Sequence, residues 1–275
     1  MNEKRKFYYD SAALGSPMVA EFREIFQYLD LLFLLVANSL KTRYKRSVIG
    51  VFWTLLNPLL TMTVLTVAFS TVFKFAIQSY PIYLLTGLIF WNFFSNATLG
   101  GMNATIIGGG LLRRVYLPRS IFSVAALGSE LLNWMLTLIP LVLLMLVLGH
   151  PITPAVLFLP LAVLIACLFT LGIALLISTI GVFFNDWIHI YQVLIMAWFY
   201  ITPIIYPVEI IPPHLAPFIQ WNPMAYLVTL FRDPIYLGRL PGGEALLVSA
   251  VLALISFFSG WWIFVRKAKQ FAYLI

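Results

Sequence analysis

Charge is scarce in this sequence. Only 10% of its 275 residues are Asp, Glu, Lys or Arg, while 62% are hydrophobic; an ordinary soluble domain is nearer half apolar and about a quarter charged. There is one cysteine, Cys167, set inside an apolar run, which excludes a disulfide framework and a cysteine-based metal site. His150, His189 and His214 lie far apart along the chain, without the paired spacing of a metal site. The nucleotide-binding pattern G-x-x-x-x-G-K-[S/T] is missing: Gly108–Gly110 runs into Leu-Leu-Arg-Arg, without the lysine that would reach a phosphate. Neither G-x-S-x-G nor H-E-x-x-H occurs, and five of the ten carboxylates precede residue 31. A membrane hydrolase or transferase needs a convergent polar constellation, so no catalytic residue and no metal site are expected. The N-terminus is polar for some twenty residues, unlike a cleavable signal peptide.

What the sequence has in abundance is long apolar runs. A helix needs about 20 apolar residues to cross the hydrocarbon, because lipid offers its backbone no hydrogen-bond partner. Six segments qualify: Val48 to Phe73, Pro81 to Ile107, Ile121 to Leu148, Val156 to Phe184, Trp187 to Tyr206, and Glu244 to Val265. The expectation is an all-α integral membrane protein with six transmembrane helices spread over 48–265, within one domain covering 1–275.

The positions of the cations set the orientation. Residues 1–46, the connection with Arg113, Arg114 and Arg119, and the tail with Arg266, Lys267 and Lys269 carry fourteen of the 17 Lys and Arg. Only Lys74, Arg232 and Arg239 fall on the other side. Positive charge stays on the cytoplasmic face, so both termini are expected there. The formal net charge of +7 therefore marks topology and a lipid surface, and no nucleic-acid partner is expected.

Two segments fall outside the simple spans. From Ala20 to Arg46, apolar residues recur at helical spacing, and the segment ends in Lys41, Arg43, Lys45 and Arg46. That pattern predicts an amphipathic helix along the cytoplasmic interface, its cations facing anionic lipid; the competing reading is a seventh span from Leu31. Residues 208–240 combine Pro212, Pro213, Pro217, Pro223 and Pro234 with Phe218, Trp221, Tyr226 and Phe231. Short helices dipping into the outer leaflet reconcile the prolines with the apolar content, since irregular backbone survives at depth only when packed on protein or lining a cavity. The alternative is an exposed loop.

Inside the spans, Glu130 is the clearest ionisable group, about ten residues into the third. A carboxylate at depth is costly and is a functional candidate by default; it is expected to face protein, either protonated or hydrogen-bonded to a neighbouring helix. Pro58, after Asn57, should kink the first span. Most of the 44 aromatics belong to lipid-facing or core surfaces.

Several strings together resemble a known family. They are Arg43-Tyr44-Lys45-Arg46-Ser47-Val48-Ile49-Gly50-Val51-Phe52-Trp53 leading to Asn57-Pro58; Tyr80-Pro81-Ile82-Tyr83-Leu84-Leu85-Thr86-Gly87 with Trp91-Asn92-Phe93; Arg113-Arg114-Val115-Tyr116-Leu117-Pro118-Arg119; Phe184-Asn185-Asp186; and Thr202-Pro203-Ile204-Ile205-Tyr206-Pro207 with Trp221-Asn222-Pro223. In this order they resemble the transmembrane subunit of ABC-2 type ATP-binding-cassette exporters, in the branch that exports O-antigen, capsular polysaccharide and teichoic acid. The resemblance implies a homodimer in the bacterial cytoplasmic (inner) membrane, docked on two copies of a separate ATPase that holds ATP and Mg. The substrate it implies is a lipid-linked glycan or polyol-phosphate polymer. It assigns ATPase contact to residues 20–46, to the first cytoplasmic loop with Arg113, Arg114, Tyr116, Pro118 and Arg119, and to the turn at Asp186. Residues 208–240 match the family's re-entrant helices, with Trp221, Asn222 and Pro223 at the outer mouth. Aromatics with a polar tip suit a wall that contacts sugar rings without gripping them. Trp53, Trp198, Tyr200 and Tyr206 beside the family-like strings are therefore expected to line a channel at the dimer axis, or else to sit in interfacial belts. Competing functions are a small-molecule or drug exporter of the same superfamily, a membrane enzyme acting on lipid-linked sugars, and a secondary transporter, which would show ion-coupling residues and internal repeats.

Overall fold

The computed structural model describes residues 17–45, 48–72, 79–112, 115–214 and 216–274, and these are helical with irregular connections. Helix α1 spans Pro17–Gln27 and α2 Leu29–Tyr44; α3 spans Phe52–Val72, α4 Tyr80–Leu112 and α5 Ile121–Val147. A 3-10 turn at Pro154–Phe158 leads into α6, Leu159–Phe183, followed by α7, Trp187–Ile201. Beyond it come α8 at Ala216–Gln220, α9 at Pro223–Arg232 with a π turn at Asp233–Leu237, and α10, Gly243–Leu274.

Among the described residues, five helices are long and apolar enough to cross a membrane: α3, α4, α5, α6 with its preceding turn, and α10. The fifth expected span is shorter than read. Helix α7 has 15 residues, about 22 Å of rise against the ~30 Å hydrocarbon core. It ends because Pro203 drives the residue before it out of the helical region; Thr202 sits at φ −84°, ψ 135°. The first span starts at Phe52 rather than Val48, because Gly50 turns the chain at φ +58°, a conformation glycine adopts without penalty. The last span continues as helix through its basic tail to Leu274.

The single amphipathic helix expected over Ala20 to Arg46 is two helices. Tyr28, at φ −107°, ψ 28°, breaks it, and the halves rest on different partners. Helix α1 packs on α10, burying Ile25 beside Trp261, Phe264 and Phe271, with Trp261 Nε1 donating to Met18 O at 3.2 Å. Helix α2 lies along α5 and buries no residue fully.

The core is centred on α4, which meets α5 and α6, while α6 pairs closely with α10. The last crossing is backbone to backbone: a Cβ on Gly172 would lie 2.3 Å from Ser256 C and O, and one on Gly260 2.2 Å from Gly172 O. Small residues allow such approach, which is how helices gain packing in lipid, where the hydrophobic effect offers little.

Candidate functional site

Three neighbourhoods hold the polar chemistry. The first lies between α2, α3, α4 and α5. Arg43, at the end of α2, pairs with Glu130 of α5, the one ion pair among the described residues. Glu130 is 4% exposed, so the partner the sequence left open is a cation, reaching in from the helix whose basic end was assigned to headgroups. Above the pair lies a cavity of 330 Å³ whose wall includes Trp53, Asn57, Asn92, Asn96 and Asn133. Tyr44 hydrogen-bonds Thr54 and donates to Asn133 Oδ1 at 3.0 Å. Below the pair a second cavity, of 210 Å³, runs under α2 past Asn38, Ser39 and Ala126. Arg43 and Glu130 belong to the walls of both.

The second neighbourhood joins α1 to the α4–α5 connection. Glu21 of α1 is buried and accepts from Ser120 N at 3.0 Å and Ser120 Oγ at 2.9 Å. A carboxylate there satisfies the open N-terminus of α5 and faces its positive dipole end. Tyr116 donates to Glu24 Oε1 at 2.9 Å, and Tyr28 Oη donates to Tyr116 O at 3.4 Å. Burial raises the Glu24 carboxyl above the usual carboxylate range, with Glu21 adding to it; the Tyr116 hydroxyl and Arg119 act the other way. Tyr116 is exposed, Pro118 buried and Arg119 half-buried. Arg113 and Arg114 lie outside the described residues. Asp186 is exposed at the start of α7 and its side chain caps nothing.

The third neighbourhood is the break after α7. Here the chain is non-helical and buried from Thr202 to Ile205, and its carbonyls find partners one by one. Arg232 donates to Pro203 O at 2.9 Å and Ile204 O at 3.2 Å, Tyr80 to Ile205 O at 2.8 Å, and Tyr83 to Tyr206 O at 2.9 Å. The Arg232 guanidinium lies 3.8 Å from the centre of the Tyr83 ring. Gly87 leaves the space: a Cβ there would meet Arg232 Nη2 at 2.4 Å. Asn222 caps α9 by accepting from Met224 N at 3.0 Å; it also accepts from Trp198 Nε1 at 2.8 Å and donates to Thr202 Oγ1 at 3.0 Å. Pro223 opens α9, where its missing N–H costs nothing. Trp221 beside it is 86% exposed.

The four expected channel aromatics have different surroundings in the protomer. Trp53 belongs to the upper cavity. Trp198 packs edge-on to Phe94 and Trp91, with centroids 5.4 and 6.3 Å away. Tyr206 donates to Tyr200 O at 2.8 Å, and the Tyr200 side chain is exposed. Sequence reasoning counted Arg232 only for orientation, among the three cations of the other side, and gave it no role in the site. Its neighbours Leu230 and Phe231 are apolar, and a lone cation in an apolar run signals burial against carbonyls or a ring.

A bundle of long apolar helices, a proline-broken segment held by Arg232 and two tyrosines, and a helix pair tied to the α4–α5 connection define a multi-pass membrane protein. Residues 30–236 match the family described as ABC-2 type transporter, and the chain belongs to that family. It is 33% identical to the O-antigen export system permease protein RfbA of Myxococcus xanthus over 257 residues, 93% of this chain and 99% of that protein. A protein of the same name from Klebsiella pneumoniae is 30% identical over 77% of this chain and 82% of its own length. The polysialic acid transport protein KpsM of Escherichia coli is 26% identical, covering 82% and 89%.

Proposed function

We propose that this chain is the permease subunit of an ATP-driven exporter that moves a lipid-linked polysaccharide, or a polyol-phosphate polymer, across the bacterial cytoplasmic membrane. The observation that carries the reading is the similarity along nearly the full chain to a protein named for O-antigen export. In this reading the chain forms a homodimer on two copies of a cytoplasmic ATPase, which holds the nucleotide and Mg. Both termini are cytoplasmic, in keeping with the one-sided placement of fourteen of 17 cations. The ATPase docks on α1, α2 and the connection with Arg113, Arg114, Tyr116, Pro118 and Arg119, with Asp186 as a smaller contact; the exposed Tyr116 tied to Glu24 supports that surface. Helices α3 and α7 flank the conduit at the dimer axis. Leu60 and Val64 of α3, and Val193 and Tyr200 of α7, are exposed in the protomer. The segment 208–240 forms the outer gate, with Trp221 at its rim and Asn222 and Pro223 holding α9 in place.

Genetic depletion tests the function directly. Loss of the chain should abolish surface polymer and leave lipid-linked glycan on the cytoplasmic leaflet, and restoring it with its ATPase should recover export. Intact surface polymer, with changed sensitivity to small toxic compounds, would favour the small-molecule exporter instead.

A further inference from the structure

The cavity above the Arg43–Glu130 pair has a composition that the apolar surroundings do not require. Its wall carries four side-chain amides, Asn57, Asn92, Asn96 and Asn133, with the hydroxyls of Thr54 and Thr137 and the rings of Trp53 and Trp134. Burying amides among apolar helices costs free energy unless they are hydrogen-bonded. Yet Asn133, 4% exposed, uses only its oxygen, towards Tyr44, and its Nδ2 has no partner; Trp134 Nε1, 6% exposed, has none either. Buried donors without acceptors in a native fold call for an explanation such as a water or a ligand. Helix α3 supplies Trp53, Thr54 and Asn57 from its first two turns, just before Pro58.

We propose that this cavity is a binding site for a neutral sugar ring, presented by the lipid-linked glycan that the proposed exporter carries; the inference rests on that reading. Amides offer a donor and an acceptor each, matching hydroxyls that are both, and indole rings offer flat faces to the C–H side of a pyranose. The volume of 330 Å³ stands at the small end of ligand pockets, about 300–1,000 Å³, which suits one or two rings and excludes a polymer in transit. The cavity selects the sugar rather than the diphosphate that carries it. Its one cation, Arg43, is already neutralised by Glu130, and the remaining groups named are uncharged. An acyl chain is disfavoured because it would bury the amides unpaired.

A protection experiment on the full chain with its ATPase, in lipid nanodiscs, tests the site. In a Cys167→Ala background, Asn96→Cys places a thiol on the cavity wall at a position that is exposed through the opening. Alkylation by N-ethylmaleimide is followed by intact mass. A polyprenyl diphosphate bearing a neutral disaccharide, at about ten times its dissociation constant, should slow the reaction about tenfold, because only the empty fraction reacts. The same polyprenyl diphosphate without sugar should not, and Asn92→Leu should remove the protection. If only the free disaccharide protects, the ring binds but is not presented by the lipid, which overturns the stated source. Equal protection by both lipids would assign the cavity to the tail or the diphosphate. No protection, where the unsubstituted complex exports glycan, overturns the site alone; an unsubstituted complex that exports none overturns the exporter reading as well. Should Asn96→Cys fail to fold, Thr137→Cys gives the same readout from α5.

Discussion

Helices α3 and α4 are adjacent and both apolar, yet the protomer treats them differently. Of the apolar stretch of α4, 78% is buried inside the chain; of α3, 11%. Hydrophobicity cannot separate them, because lipid is as apolar as a leucine side chain. Shape does. Helix α4 carries glycines where neighbours come close: Gly87 admits Arg232, Gly101 lies against Ala174, and Gly108 meets the Phe122 ring. Helix α3 has no glycine and leaves Leu60, Val64 and Val67 outward. Stability therefore resides in α4 and its partners, and α3 is left available for the second subunit of the proposed dimer and for the cavity it lines.

The largest effect should come from filling the space α4 keeps open. Gly87→Leu would drive its side chain into Arg232 and Ile204, and a loss above about 4 kcal/mol is expected from a clash of this kind in a packed interior. Absence of monodisperse protein after extraction would register it; a variant with unchanged thermal stability would break the contrast. Next comes the ion pair bridging α2 and α5. Arg43→Gln leaves Glu130 buried and unpaired, a loss of about 3–5 kcal/mol. Glu130→Gln should lose less, about 1–2 kcal/mol, because the Arg43 side chain is 41% exposed and can reach water. The double variant should recover part of the Arg43→Gln loss, and strict additivity in that cycle would deny the coupling. Asn222→Ala, which removes the α9 cap and the bonds to Trp198 and Thr202, should lower stability by about 2 kcal/mol. The smallest effect belongs to α3: Val64→Ser should shift protomer stability by no more than about 0.5 kcal/mol while weakening inter-subunit crosslinks between cysteines placed at Leu60. Crosslinking that stays at wild-type yield would move the dimer contact elsewhere.

The long spans were legible because their length and apolarity are dictated by the bilayer, whatever their neighbours. The end of α7 was less so: Pro203 is visible in the sequence, but the apolar residues after it hide that the helix has stopped. Tyr28 gave no local sign of the break between α1 and α2, since that break follows from the two halves lying on α10 and α5. Glu130 stood out as a carboxylate in an apolar run, whereas its partner Arg43 looked like one member of a basic run. Pairing across 87 positions leaves no trace in spacing. The burial of Arg232 went unread for the converse reason, since a cation was placed by its connection and not by its apolar neighbours.

The pair α1 and α2 is fastened to one rod at two points. Glu21 of α1 holds Ser120 at the very start of α5, and Arg43 of α2 holds Glu130 ten residues further along, a separation of about 15 Å on a helix. Between the two anchors the arm bends once, at Tyr28. Two struts and a rod joined at three corners form a triangle, and a triangle does not shear. In the proposed exporter, a push delivered to α1 by a docked ATPase would therefore not be lost as sliding between this helix pair and the bundle. It must either tilt α5 as a whole or part Arg43 from Glu130, which would merge the two cavities on either side of that pair.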